Sequence, residues 1–181
     1  MQPLLTIAPF TPADAADAVT VARLTELINE VYADGERGLW IPGQSRTTVG
    51  EVANFARAGE LWVARLDDEL VGSIRLARLD DTTSEFGMLV ASTKHRGLGI
   101  GRELVRFAEA NARGAGDTTM QLEVLTPRDW THPVKRFLVE WYTRLGYVNV
   151  RTEEFAPAFP RLAPFLATPC DFRIFHKNLW S

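Results

Sequence analysis

The chain has 181 residues, of which 46% are hydrophobic, and a formal net charge of −3 at pH 7. This length and composition predict a single domain with a substantial core over residues 1–181. The net negative charge provides no positive electrostatic field that would attract nucleic acid. The single cysteine, Cys170, excludes an internal disulfide. The three histidines are scattered along the chain and do not have the spacing of metal ligands. We therefore expect no nucleic-acid partner and no metal.

The sequence gives no sign of membrane association. No apolar run reaches the ~18 residues that a transmembrane helix needs. The first three residues also lack the basic and apolar regions of a signal peptide. We therefore expect no membrane partner and a soluble, cytoplasmic protein.

The N-terminal third is predicted to contain one strand and two helices. Leu4 to Ala8 forms a short apolar strand. Thr11 caps a helix that ends near Gly35, and Thr48 caps a second helix over Val49 to Ala58. In the first helix, helical spacing predicts a buried stripe at Val19, Leu24, Leu27, Ile28 and Val31.

Strands alternate with helices in the rest of the chain. Residues 61–66 and 70–79 predict a hairpin with a bulge at Gly72. Further strands are predicted at 86–91, 120–125, 147–152 and 171–177, and a Pro-rich loop at 156–169. A helix starting at Pro133 has core spacing at Val134, Phe137, Leu138, Trp141 and Leu145. This order predicts an α/β (α+β) fold with a mixed, mainly antiparallel central sheet and helices on both faces.

A glycine-rich turn stands at the centre of the chain. The apolar strand at 86–91 leads into a polar turn with Arg96, and a helix then opens with Gly97, Gly99 and Gly101. Glycine lets main chain approach a ligand closely, and the first amides of a helix lack internal partners, so the turn favours a phosphate site. A dinucleotide fingerprint would need Gly at Arg102, and a Walker A loop would need Gly-Lys-Ser/Thr, which excludes both. A glycine turn without a ligand is the alternative.

Two segments resemble one enzyme family. The turn reads Arg96-Gly97-Leu98-Gly99-Ile100-Gly101 and resembles the acyl-CoA pyrophosphate loop, Arg/Gln-x-x-Gly-x-Gly/Ala, of the GNAT family of N-acetyltransferases. A later segment reads Trp141-Tyr142-Thr143-Arg144-Leu145-Gly146-Tyr147 and resembles that family's Phe-Tyr-Glu-Lys-Leu-Gly-Phe signature. The resemblance covers roughly residues 4–177. It implies an acyltransferase that moves an acetyl group from acetyl-CoA, as cosubstrate, to a primary amine.

The resemblance also implies roles for individual residues. Tyr142 would face the thioester sulfur, or else be a core tyrosine bonded to backbone. Lys135 stands where the family often has an Asn that touches the cofactor, so the chain departs from the family pattern at this position. Lys135 and Arg102 would reach a CoA phosphate or be solvated cations. The strand residues expected to pair with pantetheine are Leu89, Val90 and Ala91. Those expected to hold the pyrophosphate are Arg96, Gly97, Leu98, Gly99, Ile100 and Gly101.

Acetyl transfer to an amine gains from a base, because an alkyl amine is only about one part in 2,500 neutral at pH 7. Glu85 is the candidate, and strand alternation predicts that it shares a face with Gly87 and Leu89. Several members of the resembled family carry a catalytic Glu at this strand position. The alternative is a strand-end Glu that is exposed or that pairs with Arg75 or Arg78 across the sheet.

The acceptor is expected to be a cationic small molecule or a peptide amine. In the resembled fold, the first helices and the C-terminal loops form the acceptor cleft, and carboxylates and aromatic faces there suit an ammonium group. The residues concerned are Tyr32, Asp34, Glu36, Trp40, Glu153, Glu154, Phe155 and Phe159. A non-catalytic acyl-CoA-binding or sensing domain and a ligand-free scaffold are the alternative functions, and a homodimer is left open.

Overall fold

The computed structural model describes residues 3–181, which form a seven-stranded sheet flanked by helices. The strands are β1 (Leu5–Pro9), β2 (Leu61–Leu66), β3 (Glu69–Arg78), β4 (Thr83–Ala91), β5 (Thr119–Pro127), β6 (Val148–Glu154) and β7 (Cys170–Asn178). The helices are α1 (Pro12–Ala16), α2 (Ala18–Gly35), α3 (Val49–Arg57), α4 (Ile100–Gly114), α5 (Pro133–Arg144) and α6 (Phe155–Ala158). Within the described range, no helix is long and apolar enough to cross a membrane.

The strand order is β1-β2-β3-β4-β5-β7-β6. Neighbouring strands are antiparallel except β4 and β5, which pair in parallel. One apolar cluster packs α4 and α5 against one face, and a second packs α2 and α3 against the other. The predicted mixed, mainly antiparallel sheet with helices on both faces is therefore confirmed.

The N-terminal helical region differs from the prediction because Asp17 interrupts it. Asp17 has an extended backbone, and its side chain accepts a hydrogen bond from the Thr20 amide at 2.9 Å, which caps α2. The single predicted helix is therefore two, α1 and α2. Val19, expected in the core, is 70% exposed, and the fully buried side chains of α2 are Val21, Leu24, Thr25 and Ile28.

The β2–β3 hairpin follows the prediction closely. Asp67 and Asp68 both have positive φ, 48° and 71°, which is the geometry of a tight two-residue turn whose twist matches the strands. The pairing register shifts beside Ala64, at the bulge predicted for Gly72. A Cβ at Gly72 would lie 2.7 Å from the Val90 carbonyl oxygen, so β3 and β4 approach too closely there for any other residue.

Helix α5 presents a different face to the core from the one predicted. Its buried side chains are Lys135 and Tyr142, whereas Phe137 is 57% exposed and Val134 is also exposed. The expected core positions at Val134 and Phe137 are therefore wrong. The core-facing position in the first turn of α5 is taken instead by Lys135, whose ammonium forms a buried ion pair with Glu36.

Candidate active site

Strands β4 and β5 separate after the first third of their length. Their parallel pairing covers only Thr83 to Glu85 of β4, opposite Thr119 to Gln121 of β5, although β4 continues to Ala91 and β5 to Pro127. Beyond Glu85, one edge of β4 is therefore without its neighbouring strand. Unpaired strand edges offer backbone donors and acceptors to a ligand. Residues 89–91, expected to pair with a cofactor, lie on this separated part of β4.

A left-handed residue reshapes β4 inside the gap. Met88 has φ 47°, which is uncommon for a large side chain, and the β3–β4 register shifts at the same place. Met88 and Val90 both pack into the α2–α3 cluster, while Leu89 turns to the α4–α5 cluster. The expectation that alternation places Leu89 on the face of Glu85 is wrong, because the bulge reverses the alternation.

The glycine-rich turn has the backbone of an anion site. Gly97 and Gly99 have φ values of 83° and 73°, and Gly99 is the N-cap of α4. Within residues 3–181, the first amide of this helix to make a main-chain hydrogen bond is that of Glu103, which donates to the Gly99 carbonyl at 3.0 Å. The amides of residues 100–102 are therefore left for a ligand.

Two arginines flank these amides. Arg96 and Arg102 are both exposed, and the Arg96 guanidinium lies 3.8 Å from the Asp34 carboxylate at the end of α2. A pair so exposed contributes little to stability and is easily exchanged for a phosphate. The turn thus combines free helix amides with exposed positive charge.

Tyr142 packs its ring into the core beside Phe86 of β4. The residue is 6% exposed, and its ring lies 6.0 Å from that of Phe86 and 5.0 Å from that of Trp141. Burial raises the pKa of the Tyr142 phenol, so the hydroxyl keeps its proton at neutral pH. In the described part of the chain this hydroxyl has no hydrogen-bond partner, whereas the nearby Tyr147 donates to Glu109 at 2.9 Å. The alternative of a core tyrosine bonded to backbone does not apply.

Glu85 lies at the last paired position before the gap. Gln121 Nε2 donates to Glu85 Oε2 at 2.7 Å, and Gln121 Oε1 lies 2.7 Å from His176 Nε2. The alternative partners are occupied elsewhere, since Arg75 pairs with Glu60 and Arg78 with Asp117. Glu85 is therefore held by an amide and not by a cation.

A second carboxylate on this face, Glu123, was not found by the sequence reasoning. It follows Gln121 by two residues on β5 and so lies on the same face. Partial burial, together with the negative charges of Glu85 and Glu153, raises the pKa of Glu123 to about 7. A charged residue at the centre of the apolar strand Met120 to Leu125 was the available signal.

Lys135 neither reaches a phosphate nor lies in solvent. Its Nζ donates to Glu36 Oε1 at 2.8 Å in a buried ion pair, and Glu36 Oε2 accepts a hydrogen bond from Trp40 Nε1 at 2.6 Å. Phe155 is likewise buried, in a separate cluster with Leu39, Leu125 and Cys170. Glu36 and Phe155 are therefore structural and do not line an acceptor cleft, contrary to expectation.

The remaining residues of the expected cleft stay at the surface or near it. Tyr32 is half-buried, and the Arg46 guanidinium lies 5.0 Å from its ring centroid. Burial is the main reason that the pKa of the Tyr32 phenol is raised. Asp34, Glu153 and Glu154 are exposed. These three carboxylates can meet a cationic acceptor, although they come from two separate segments.

Comparisons with known proteins agree with this geometry. The chain resembles the crystal structure of an aminoglycoside 6'-N-acetyltransferase complexed with coenzyme A, with 20% identity, a TM-score of 0.71 and coverage of 97% of this chain and 98% of the other. It also resembles PaiA N-acetyltransferase from Thermoplasma acidophilum in complex with coenzyme A, with 16% identity, a TM-score of 0.71 and coverage of 97% of this chain and 99% of the other. A third similar structure is Ard1 from Thermoplasma volcanium, with 14% identity, a TM-score of 0.67 and coverage of 98% of this chain and 99% of the other. No curated protein sequence matches the chain.

At these identities the structural similarities show the fold alone. The family itself is shown by sequence, because the model of the acetyltransferase (GNAT) family matches residues 25–147, well over half of the chain. This protein therefore belongs to the acetyltransferase (GNAT) family.

Proposed function

We propose that the protein transfers an acetyl group from acetyl-CoA to the primary amine of a small molecule or peptide. The observation that carries this proposal is the separation of β4 from β5 beyond Glu85, which opens a strand edge leading to the glycine-rich turn. Family membership supports acetyl transfer, and some structural relatives are named as aminoglycoside acetyltransferases. We propose that a single domain, residues 1–181, performs the reaction.

The chain's own groups suit the cofactor. Acetyl-CoA supplies a thioester, which is the acyl donor. The free amides at the start of α4 would hold its pyrophosphate, with Arg96 and Arg102 adding positive charge. The unpaired edge of Leu89 to Ala91 would bond the pantetheine amides as a missing strand would.

Glu85 is the carboxylate that we propose to meet the acceptor ammonium, either as its base or as the group that holds it beside a second carboxylate. Gln121 occupies one of its carboxylate oxygens, which leaves the other for an ammonium group or for a water that carries the proton. Because the acceptor must be neutral to attack, removal of this proton is part of the barrier. Tyr142 is the proposed acid, since its unbonded, protonated hydroxyl is available to the departing thiolate.

Direct attack in a ternary complex is favoured over a covalent acyl-enzyme. Cys170 is buried, and desolvation is the main cause that raises its pKa to about 11, so its thiol stays protonated at neutral pH. A protonated thiol is a poor nucleophile. The cytoplasmic location and the homodimer stay predictions.

Initial-rate kinetics test the proposed mechanism. With acetyl-CoA and an amine varied together, we expect intersecting double-reciprocal lines, and Cys170→Ser should keep the same pattern. Parallel lines, or loss of turnover in a folded Cys170→Ser variant, would indicate a covalent intermediate and contradict direct attack. Binding of acetyl-CoA without turnover for any amine would favour the sensing-domain alternative.

A further inference from the structure

Glu123 is the first residue of β5 beyond the last β4–β5 pair whose side chain lies on the same face of the sheet as Gln121. Its neighbours in sequence, Leu122 and Val124, point into the α4–α5 cluster, so Glu123 points to the other face, with Gln121. Residues two apart on a strand are separated by about 6.6 Å. Glu85 pairs with Gln121 across the strands, so the two carboxylates flank the opening of the gap from its two sides.

The surroundings of Glu123 leave its carboxylate available. Among residues 3–181 it makes neither an ion pair nor a hydrogen bond. The groups that face it are Glu85 on β4, the apolar Ile174 and the more distant His176 on β7, and Arg151 and Glu153 on β6. Arg151 is engaged by Glu153 at 2.7 Å, so it only partly offsets the negative charge around Glu123.

We propose that Glu123 is a second catalytic carboxylate, which takes up the proton released from the acceptor nitrogen while Glu85, held by Gln121, fixes the ammonium group. This inference rests on the proposed acetyl transfer. Two carboxylates in different environments can divide the work of binding a cation and of accepting its proton. The raised pKa of Glu123 supports the division, because a base with a pKa near the working pH is the most effective.

The step is balanced in protons. An N–H bond of the ammonium group breaks and an O–H bond forms on Glu123, directly or through one water, which leaves a neutral amine. The amine nitrogen then bonds to the acetyl carbon as the C–S bond of the thioester breaks. The CoA thiolate takes a proton from Tyr142, whose hydroxyl is restored by the second proton released from the nitrogen. The Glu123 carboxylic acid then loses its proton to solvent, since the Glu123 side chain is partly exposed. Glu85 keeps its hydrogen bond from Gln121 and holds the ammonium group during this step.

The test is the pH dependence of kcat/KM with acetyl-CoA and an amine that the enzyme accepts. The parent's rate should rise as pH increases through about 7, because the base must be ionised. Glu123→Gln should lower kcat at pH 8 by about 100-fold, with a small change in the KM of the amine, and should lose this rise. Glu85→Gln should instead lower kcat and also raise the KM of the amine, because Glu85 holds the ammonium group.

Three control variants test whether the pH dependence comes from the Glu123 carboxylate. Glu123→Asp should retain part of the activity and the pH-dependent rise. Arg151→Gln should move the rise to higher pH with an unchanged plateau, because it removes the charge that lowers the pKa of Glu123. Glu26→Gln, an exposed carboxylate on α2, should leave the profile unaltered.

A readout independent of turnover is the ¹³C NMR titration of glutamate carboxyls. The parent should show a resonance that titrates near pH 7 and that disappears in Glu123→Gln. An active parent whose Glu123→Gln variant keeps both the rate and the pH-dependent rise would overturn this inference alone. A parent that transfers acetyl to no amine would overturn the proposed function, and this inference with it.

Discussion

The Lys135 ammonium lies 2.8 Å from the Glu36 carboxylate, and both side chains are buried although the residues are 99 positions apart. The pair joins α5 to the segment that follows α2. His132 strengthens the same junction, because its Nε2 lies 3.0 Å from the Arg37 carbonyl oxygen while its Nδ1 caps α5. Lys135, at the position where the GNAT pattern often has a cofactor-binding Asn, therefore holds the segment after α2 against α5.

Removal of the Lys135 ammonium should destabilise the folded protein. Lys135→Met leaves the Glu36 carboxylate buried without its cation and should lower the free energy of unfolding by about 3–5 kcal/mol. Urea denaturation measures the change. The control is Arg136→Met, the adjacent residue, whose exposed pair with Glu140 should be worth less than about 1 kcal/mol. Equal, small effects for the two variants would refute a structural role for the buried pair.

Substitution of Gly99 should abolish cofactor binding. Gly99→Glu places a side chain and a negative charge at the proposed pyrophosphate site, where φ is 73°. Gly59→Glu is a matched control, since Gly59 has φ 72° and also has open space around its Cβ position, so it reproduces the backbone strain alone. Calorimetry should detect acetyl-CoA binding by Gly59→Glu but not by Gly99→Glu. Unchanged affinity in a folded Gly99→Glu variant would place the pyrophosphate elsewhere.

The Tyr142 hydroxyl should matter for turnover and not for stability. Tyr142→Phe should lower kcat by about 10- to 100-fold, a modest effect because a thiolate with a pKa near 8.5 can leave unaided. The melting temperature should stay the same, since the hydroxyl has no partner among the described residues. Tyr147→Phe should instead lower the melting temperature and leave kcat nearly unchanged, because it breaks the hydrogen bond to Glu109. Full activity with a lowered melting temperature in Tyr142→Phe would make its hydroxyl structural.

Glu123 should make stability fall as pH rises. Its pKa is raised from 4.5 to about 7 in the folded protein, so the folded state holds this proton more tightly than the unfolded chain between those values. Glu123→Gln imitates the protonated acid and should therefore raise the melting temperature at pH 8 but hardly at pH 4. Thermal unfolding followed by circular dichroism gives both values. The same shift at both pH values would exclude a raised pKa as its cause.

The sheet and its flanking helices were predictable because they follow from local patterns. Strand alternation, the Asp67–Asp68 turn and the caps at Thr11 and Thr48 each act within a few residues. The glycine-rich turn was predictable for the same reason. The turn requires positive φ at two positions, and glycine occupies both of them, at Gly97 and Gly99.

The gap and the polar contacts around it depend on tertiary structure. The left-handed Met88 reverses strand alternation, and no pattern predicts that conformation for a methionine. The pairing of Lys135 with Glu36 joins distant segments, and the raised pKa of Glu123 arises from neighbours on β4 and β6. Charges buried by tertiary contacts resemble solvated charges in the sequence, which is why Lys135 and Glu36 were misassigned.

The most direct test of the account is release of free CoA from acetyl-CoA by the purified protein across a panel of amines. The panel should include amino acids, polyamines, aminoglycosides and peptide N-termini. We predict CoA release that requires an amine, that yields the acetylated amine by mass spectrometry, and that is lost in Gly99→Glu but kept in Gly59→Glu. Release no faster than without amine for every member of the panel, by a protein that still binds acetyl-CoA, would contradict the assignment of an N-acetyltransferase.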